Sequence, residues 1–362
     1  MSTLTMDPEL GQEVPVAAID KELRKLWEAD DARTNASLIN LVTCSEESGS
    51  LRKNSAIIRE LTREHACRAI LVEFDRTVEE PSIRAWITAH CHLSEGRKSV
   101  CCEQIAFAFT GRVTGRFRNT VFAHLNSDLP LVMWWQGELT SVLTERLTHV
   151  VERLVIDSSS WSDPRASYAR LDEVVEAGNL KLMVHDLAWT RTWQFRLAVA
   201  ALFDESVALA ALPAVRSVRL VFHPDFRVSA LMLLAWLSIQ AGWSFGRELD
   251  LAVERRDGAK QSFAFESPAG TPVEIVLEAD PAAAPIGLLE LSAPQVAIRV
   301  SRDAGSSRLV RELDCQGSGC HTSVAPADPD DAAGLVGSQL ARGGKNTLFR
   351  KVFPRFLELL GD

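Results

Sequence analysis

The chain has 362 residues, 46% apolar and 24% charged, a balance that can bury more than one core and excludes a disordered chain or a single small module. Its formal net charge of −9 opposes docking on a phosphate backbone, so no nucleic acid is expected as a partner. No apolar run reaches the ~20 residues that span a bilayer, the longest being Ala230 to Ala241, broken by Ser238 and Gln240, and no membrane partner is expected either.

From the start of the chain, Met1 to Val14 carries Asp7, Glu9 and Glu13 with neither a basic region nor an apolar stretch, so a secretory signal is not expected and the reading is cytoplasmic. Ile19, Leu23, Leu26 and Trp27 recur at helical spacing and predict a first helix. A dense run at Leu38 to Val42, a helix carrying Ile57, Ile58 and Leu61 with Asn54 or Ser55 as its cap, and a run at Ala69 to Phe74 predict strand, helix, strand. Residues 83 to 94 alternate strictly between apolar and polar, the period of a half-exposed strand. A polar turn at Ser94 to Ser99 and the alternating Ile105, Phe107 and Phe109 complete an antiparallel hairpin. Further runs at Leu131 to Trp135, Leu154 to Ile156 and Leu180 to Val184 alternate with helical stretches at Glu138 to His149 and Ala166 to Glu176. The first domain, 1–204, is therefore expected to be α/β, a mostly parallel sheet plus an antiparallel hairpin.

The character changes near residue 205. A strand at Val218 to Phe222 and an apolar helix at Val228 to Gly242 precede a series of strands from Leu249 to about Val324, joined by Gly and Pro turns. Asp328 before Pro329 reads as a helix start and Gly343-Gly344 as a stop. The second domain, 205–362, is expected to be α+β, with a mainly antiparallel sheet and C-terminal helices.

The chain lacks the usual catalytic strings. Gly317-Ser318-Gly319 lies between two strand candidates rather than between a strand and a helix, and Gly343-Gly344-Lys345-Asn346 departs from a phosphate loop at both of its other required positions. No His-Glu-x-x-His and no Gly-x-Ser-x-Gly occurs, and neither a metal nor a cofactor is expected. On a strand His90 and His92 share one face and Cys91 takes the other, which opposes a common metal ion and suggests an exposed histidine face over a buried thiol. Seven cysteines, an odd number, fit reduced thiols. Cys315 and Cys320 flank a four-residue loop and are expected opposite each other, a reduced pair that a small shift would bridge.

Three clusters exceed what a core needs. Asp128-Leu129-Pro130 leads into a strand ending in Trp134 and Trp135, whose rings one layer cannot hide on the same side. Ile156-Asp157-Ser158-Ser159 follows a buried strand, at the end where open α/β sheets place ligands. Asp186-Leu187-Ala188-Trp189-Thr190-Arg191 sets a carboxylate and a guanidinium beside an indole. Asp157 and Asp186 serve equally well as helix caps.

In these clusters, with Cys102-Glu103-Gln104-Ile105, the chain resembles the glucose-6-phosphate dehydrogenase assembly protein OpcA family over about residues 35 to 245. The resemblance implies a noncatalytic partner that promotes assembly and activity of glucose-6-phosphate dehydrogenase, which opens the oxidative pentose phosphate pathway. It points to Asp128, Trp134, Trp135, Asp157, Ser158, Ser159, Asp186, Trp189, Thr190 and Arg191 as family-motif or partner-binding residues. The family's usual Pro-Trp-Arg-Glu is replaced here by Thr192-Trp193-Gln194-Phe195-Arg196. Two alternatives stand beside it: a sugar-phosphate- or nucleotide-binding enzyme with a site around Asp157, Asp186 and Arg191, and a thiol redox sensor acting through Cys315 and Cys320.

Overall fold

The computed structural model describes residues 6–28, 33–94, 98–111, 114–177, 181–245, 255–257, 260–315, 319–342 and 346–361. The chain divides into two compact units, Met1–Asp186 with Ala332–Lys345, and Leu187–Asp331 with Asn346–Asp362.

In the first unit the elements run β1 (Met6–Asp7), β2 (Gly11–Val14), α1 (Ile19–Glu28), β3 (Arg33–Asn35), β4 (Ile39–Ser45), α2 (Ser50–Leu61), β5 (Cys67–Asp75), β6 (Ser82–Ser94), β7 (Lys98–Thr110) and α3 (Thr114–Phe122). They continue with β8 (Leu131–Trp135), α4 (Glu145–Thr148), β9 (Arg153–Ile156), α5 (Pro164–Ala177) and β10 (Met183–Asp186). The strands form one sheet in the order β1-β2-β6-β7-β5-β4-β8-β9-β10, with β3 beside β7. From β7 through β5, β4, β8 and β9 to β10 every neighbour is parallel, while β6, β2 and β1 are antiparallel additions at the β7 edge. The strand order reverses at β4, the arrangement of a doubly wound sheet. Strand β4 is apolar on both faces, with Leu41, Val42 and Cys44 at 0% exposure, because helices on either side of a parallel sheet leave its central strands no solvent face.

The alternation at 83 to 94 is realised as β6, paired along its whole length with β7, and the turn expected between them falls at residues 95–97, outside the described residues. Its faces are opposite to expectation. His90 is buried and bonds Gln104 Oε1 at 2.8 Å, His92 meets Thr62 Oγ1 at 3.0 Å, and Cys91 is the exposed residue. The histidine face is tied to the α2 side, where Thr62, just past α2, bonds His92 and Ser55 of α2 bonds the Gln104 that holds His90. Cys91 is joined to Cys101, directly opposite on β7, in a disulfide with an S–S distance of 2.01 Å, so the expectation of only reduced thiols is corrected at this pair.

Helix α2 begins at Ser50, after Gly49 in the left-handed region at φ 80. Asn54 and Ser55 therefore sit inside the helix, buried against the sheet, rather than capping it. The helix expected over Glu138 to His149 shrinks to the four residues of α4. Its first part is held as loop by two indole N–H groups, Trp135 Nε1 donating to Glu138 O at 2.9 Å and Trp161 Nε1 to Gly137 O at 3.0 Å.

The second unit contains α6 (Leu187–Thr190), α7 (Trp193–Leu202), α8 (Ser206–Ala211), β11 (Ser217–Phe222), α9 (Arg227–Gln240), β12 (Ser244–Phe245), β13 (Arg255–Asp257), β14 (Lys260–Glu266) and β15 (Pro272–Ala279). It continues through β16 (Ile286–Ala293), β17 (Val296–Ser301), β18 (Arg308–Cys315) and β19 (Gly319–Pro326). Its sheet runs β12-β14-β15-β11-β16-β17-β18-β19, with β13 beside β14, and only the β11–β15 pair is parallel among the described strands. Alternate residues such as Phe263, Phe265, Ile275, Leu277, Leu289, Leu291, Ile298 and Val300 are buried, the period-two pattern of a sheet with one covered face. Two helices follow, α10 (Ala332–Ala341), which returns to the first unit and packs on α2, and α11 (Thr347–Leu360), which packs on α9.

Against the expected division at 204/205, the compact units part at 186/187, since α6 packs on α9 and α7 on β17, β18 and β19. Asp328 does not start α10. Its Oδ2 accepts the Gln194 backbone N–H at 2.7 Å and so serves the first turn of α7, leaving α10 to begin at Ala332. The stop expected at Gly343-Gly344 lies outside the described residues. No single described helix is long and apolar enough to cross a membrane.

Candidate functional site

The carboxyl ends of β9 and β10 lie side by side, with Val155 opposite His185 and Ile156 opposite Asp186. Past Ile156 the chain turns sharply. Asp157 accepts the Ser159 N–H at 3.2 Å and its carbonyl accepts the Ser160 hydroxyl at 2.8 Å, holding Ser158–Ser160 in a single tight turn. This is the capping role that Asp favours at a helical start. Asp186 does something else: one carboxylate oxygen accepts the Ser158 N–H at 3.2 Å and the other accepts the Tyr168 hydroxyl from α5.

Asp186 is 1% exposed and Tyr168 2%, and the Trp161 ring stands edge-on to Tyr168 at 5.0 Å. Burial, reinforced by the Asp186 charge, pushes the Tyr168 phenol well above its ordinary range, so the hydroxyl stays protonated and donates. A carboxylate with these donors, closed off from water, ties the turn after β9 to α5 and β10. Tyr168 stands 18 positions before Asp186, and no local spacing rule links them, so the residues alone do not single it out.

The second unit holds the rest of the third cluster. Trp189 and Thr190 are buried in α6. The Thr192 hydroxyl donates to Trp189 O at 2.8 Å and accepts Arg196 Nε at 3.0 Å. The Arg196 guanidinium, 4% exposed, stacks 3.6 Å from the Trp189 ring and 5.3 Å from that of Trp193. Arg191 is half-buried, with its guanidinium 4.9 Å from the Phe226 ring. Arg196, set apart by its departure from the family string, is thus the cation that organises the tryptophans. Trp193 stands three residues before it on α7, the same-face spacing of a helix, whereas Trp189 is brought to it from the separate helix α6.

Trp134 and Trp135 do not divide into one core ring and one surface ring. Both are buried, at 4% and 1% exposure, because β8 is an interior strand flanked by β4 and β9 and each ring enters a covered layer. Asp128 is exposed in the preceding turn, which Asn40 braces through Asn126 O at 2.9 Å and Leu129 O at 3.0 Å. The expected opposition of Cys315 and Cys320 is also corrected, since the register pairs Cys315 with Gly319 and Asp314 with Cys320. The connecting residues 316–318 lie outside the described residues, and Cys315 is a free, half-buried thiol.

The structure therefore brings Asp157, Ser158, Ser159 and Asp186 together in the first unit, with Trp134 and Trp135 in the core of the same sheet, whereas Trp189, Thr190 and Arg191 belong to the second unit. No group of three or more His, Cys, Asp or Glu residues arranged to hold a metal ion occurs among the described residues.

Residues 58–173 match the family of the glucose-6-phosphate dehydrogenase subunit N-terminal domain, and residues 182–353 match that of its C-terminal domain. The chain belongs to the OpcA family. Two relatives provisionally named OxPP cycle protein OpcA agree with this. The one from Nostoc punctiforme is 26% identical over 82% of this chain and 65% of its own length, and the one from Synechococcus elongatus is 24% identical over 95% and 76%. The chain thus spans slightly less than two thirds of the Nostoc relative.

In fold, the chain is similar to a variant of KijD10, a 3-ketoreductase from Actinomadura kijaniata, with a TM-score of 0.50 and 14% identity over 89% of this chain and 95% of that one. The OpcA N-terminal match contains Asp128, Trp134, Trp135, Asp157, Ser158 and Ser159, and the C-terminal match contains Asp186, Trp189, Thr190 and Arg191. The shared name of those two relatives ties them to the OxPP cycle, and the two matched families are described as domains of a glucose-6-phosphate dehydrogenase subunit.

His185, beside Asp186 on β10, is 5% exposed, and burial, with the nearby Arg153 charge, pushes its pKa down from 6.5 to about 4. The unfolded chain holds the extra proton between those two values, so the contribution of His185 to stability is complete above about pH 6.5 and is lost as pH falls towards 4. The expected slope is about 1.4 kcal/mol per pH unit within that window. Denaturant titrations of wild type and His185→Gln from pH 7 to pH 4 check it, and parallel curves for the two proteins would rule the assignment out.

Proposed function

We propose that this chain is a noncatalytic partner of glucose-6-phosphate dehydrogenase that promotes its assembly and raises its activity. The observation that carries the proposal is the pair of matches over 58–173 and 182–353, both to families described as subunit domains of that dehydrogenase. The strand-end cluster supports it, since Asp157 caps its own turn and Asp186 is sealed between Ser158 and Tyr168 rather than presented to a substrate. The chain alone is expected to oxidise no sugar phosphate. Added in increasing amounts to its cognate dehydrogenase, it is expected to raise NADPH production and the sedimenting mass together. Unchanged rate and mass across the titration would refute the proposal.

With both β8 tryptophans buried, four motif residues keep surface: Asp157 and Ser159, which bond each other in the turn after β9, and beyond that turn Asp128 and Arg191. We assign partner contact to Asp128 and Arg191. A guanidinium stacked on an aromatic ring combines planar hydrogen-bonding geometry with contact area, and an anchor of this kind contributes about 2 kcal/mol or more to binding. Arg191→Ala is therefore expected to weaken the dehydrogenase complex by roughly 30-fold, the equivalent of that energy, while its melt stays near wild type. An unchanged binding isotherm would remove Arg191 from the interface.

A further inference from the structure

The reversal of strand order at β4 creates a crevice beyond the ends of β4 and β8, the place where a doubly wound sheet ordinarily receives a dinucleotide. In such a sheet the pyrophosphate rests on the N-terminus of the helix that follows the first strand, approached through closely packed glycines, and an acid at the end of the next strand holds a ribose. Here the corresponding loop is Glu46-Glu47-Ser48-Gly49 and the helix is α2. A side chain built on Gly49 would meet nothing within 4 Å, so this glycine does not mark a close backbone approach.

The acid of the next strand is Glu73 on β5, opposite Ser45 of β4. Its Oε2 accepts the Ser50 hydroxyl at 3.0 Å and the Leu51 N–H at 3.1 Å, which places its charge on the helix N-terminus itself. The crevice is clasped from both sides. Asn54 of α2 and Gln136, just past β8, exchange amide hydrogen bonds at 2.9 and 2.8 Å, and Gln136 N–H donates to Cys44 O at 2.9 Å. Glu46 accepts the Thr140 hydroxyl at 2.6 Å, adding a second carboxylate at the mouth.

A dinucleotide does not fit these residues. Its pyrophosphate would have to displace Glu73 from the helix N–H groups, approach Glu46, and part the Asn54–Gln136 amide pair. We propose that this crevice is closed to nucleotides and that Glu73 is a built-in anion occupying the seat which the fold otherwise offers to a phosphate. The proposal holds whether or not the chain partners the dehydrogenase, because it concerns the isolated chain and a different ligand.

The test uses the full chain with NADP+, NAD+ and inorganic phosphate, followed by calorimetric titration and thermal melting. Wild type is expected to give no saturable heat with either nucleotide and a melting temperature indifferent to millimolar phosphate. Glu73→Ala vacates the seat, and its melting temperature is expected to rise with phosphate by several degrees, as mass action on a newly formed site requires. Should Glu73→Ala not fold, Glu73→Gln, which keeps an acceptor oxygen and removes the charge, is read in the same way. Saturable NADP+ or NAD+ binding to wild type at micromolar concentration would overturn the closed crevice. A vacated variant with no phosphate dependence would overturn the role given to Glu73.

Discussion

Trp135→Ala is expected to lose about 3–5 kcal/mol of folding stability, and Trp134→Ala a similar amount. Trp135 is among the largest fully buried side chains, and its indole N–H also holds the loop at Glu138. Truncation removes the ring from a layer between sheet and helix, leaves a cavity that the flanking β4 and β9 cannot collapse to fill, and frees Glu138 O from its donor. For a unit of this size the loss corresponds to a fall in melting temperature of roughly 6–20 °C. Trp135→Phe, which keeps most of the apolar volume, is expected to recover part of it. Thermal melts of the three variants decide the matter. A Trp134→Ala or Trp135→Ala protein that melts like wild type yet fails to bind the dehydrogenase would return that ring to the interface.

The second large effect is expected at Asp186. Asp186→Ala takes the acceptor from both the Ser158 N–H and the Tyr168 hydroxyl, deep in the first unit, at about 1–3 kcal/mol for each donor. Tyr168→Phe removes one donor from the carboxylate and is expected to cost about 1–3 kcal/mol. Because the two side chains share one buried bond, the double variant Asp186→Ala, Tyr168→Phe is expected to lose less than the sum of the singles. Denaturant unfolding of the three proteins measures this coupling. Strict additivity would show that the Tyr168–Asp186 bond contributes nothing. Near-native stability of Asp186→Ala would reopen the carboxylate as a functional group.

The two predictions share a cause. At the carboxyl ends of β8, β9 and β10 the motif residues Trp135, Asp157 and Asp186, with polar and aromatic neighbours, fix the strand-end turns. Gln136, Trp161 and Tyr168 each bond a loop backbone or a partner side chain across a long stretch of sequence, Trp135 holds Glu138 O three residues on, and Asn40 braces the turn that leads into β8. For the assembly role proposed above, turns held in one conformation matter because each rotamer-rich segment left to be ordered on binding subtracts from affinity.

Elements whose signal is local were legible in the residues alone. Period two in residues 83 to 94 gave β6, dense apolar runs gave β5, β8 and β9, and the lack of a glycine fingerprint or a metal-ligand spacing was visible directly. The order and spacing of the Asp128, Asp157 and Asp186 motifs sufficed to identify the family. Tertiary structure decided what pairing and layering control. That His90 is buried and Cys91 exposed depends on bonds from Ser55 of α2 and from Thr62 just past it, which reach that face through Gln104 and His92; both β8 tryptophans are buried because both faces of the sheet are covered. A one-residue step in register separates Cys315 from Cys320, while the β6–β7 register sets Cys91 against Cys101. The partners of Asp186 and Glu73 lie 18 to 28 residues away, beyond any helical or strand period, so only the folded chain brings those donors to their carboxylates.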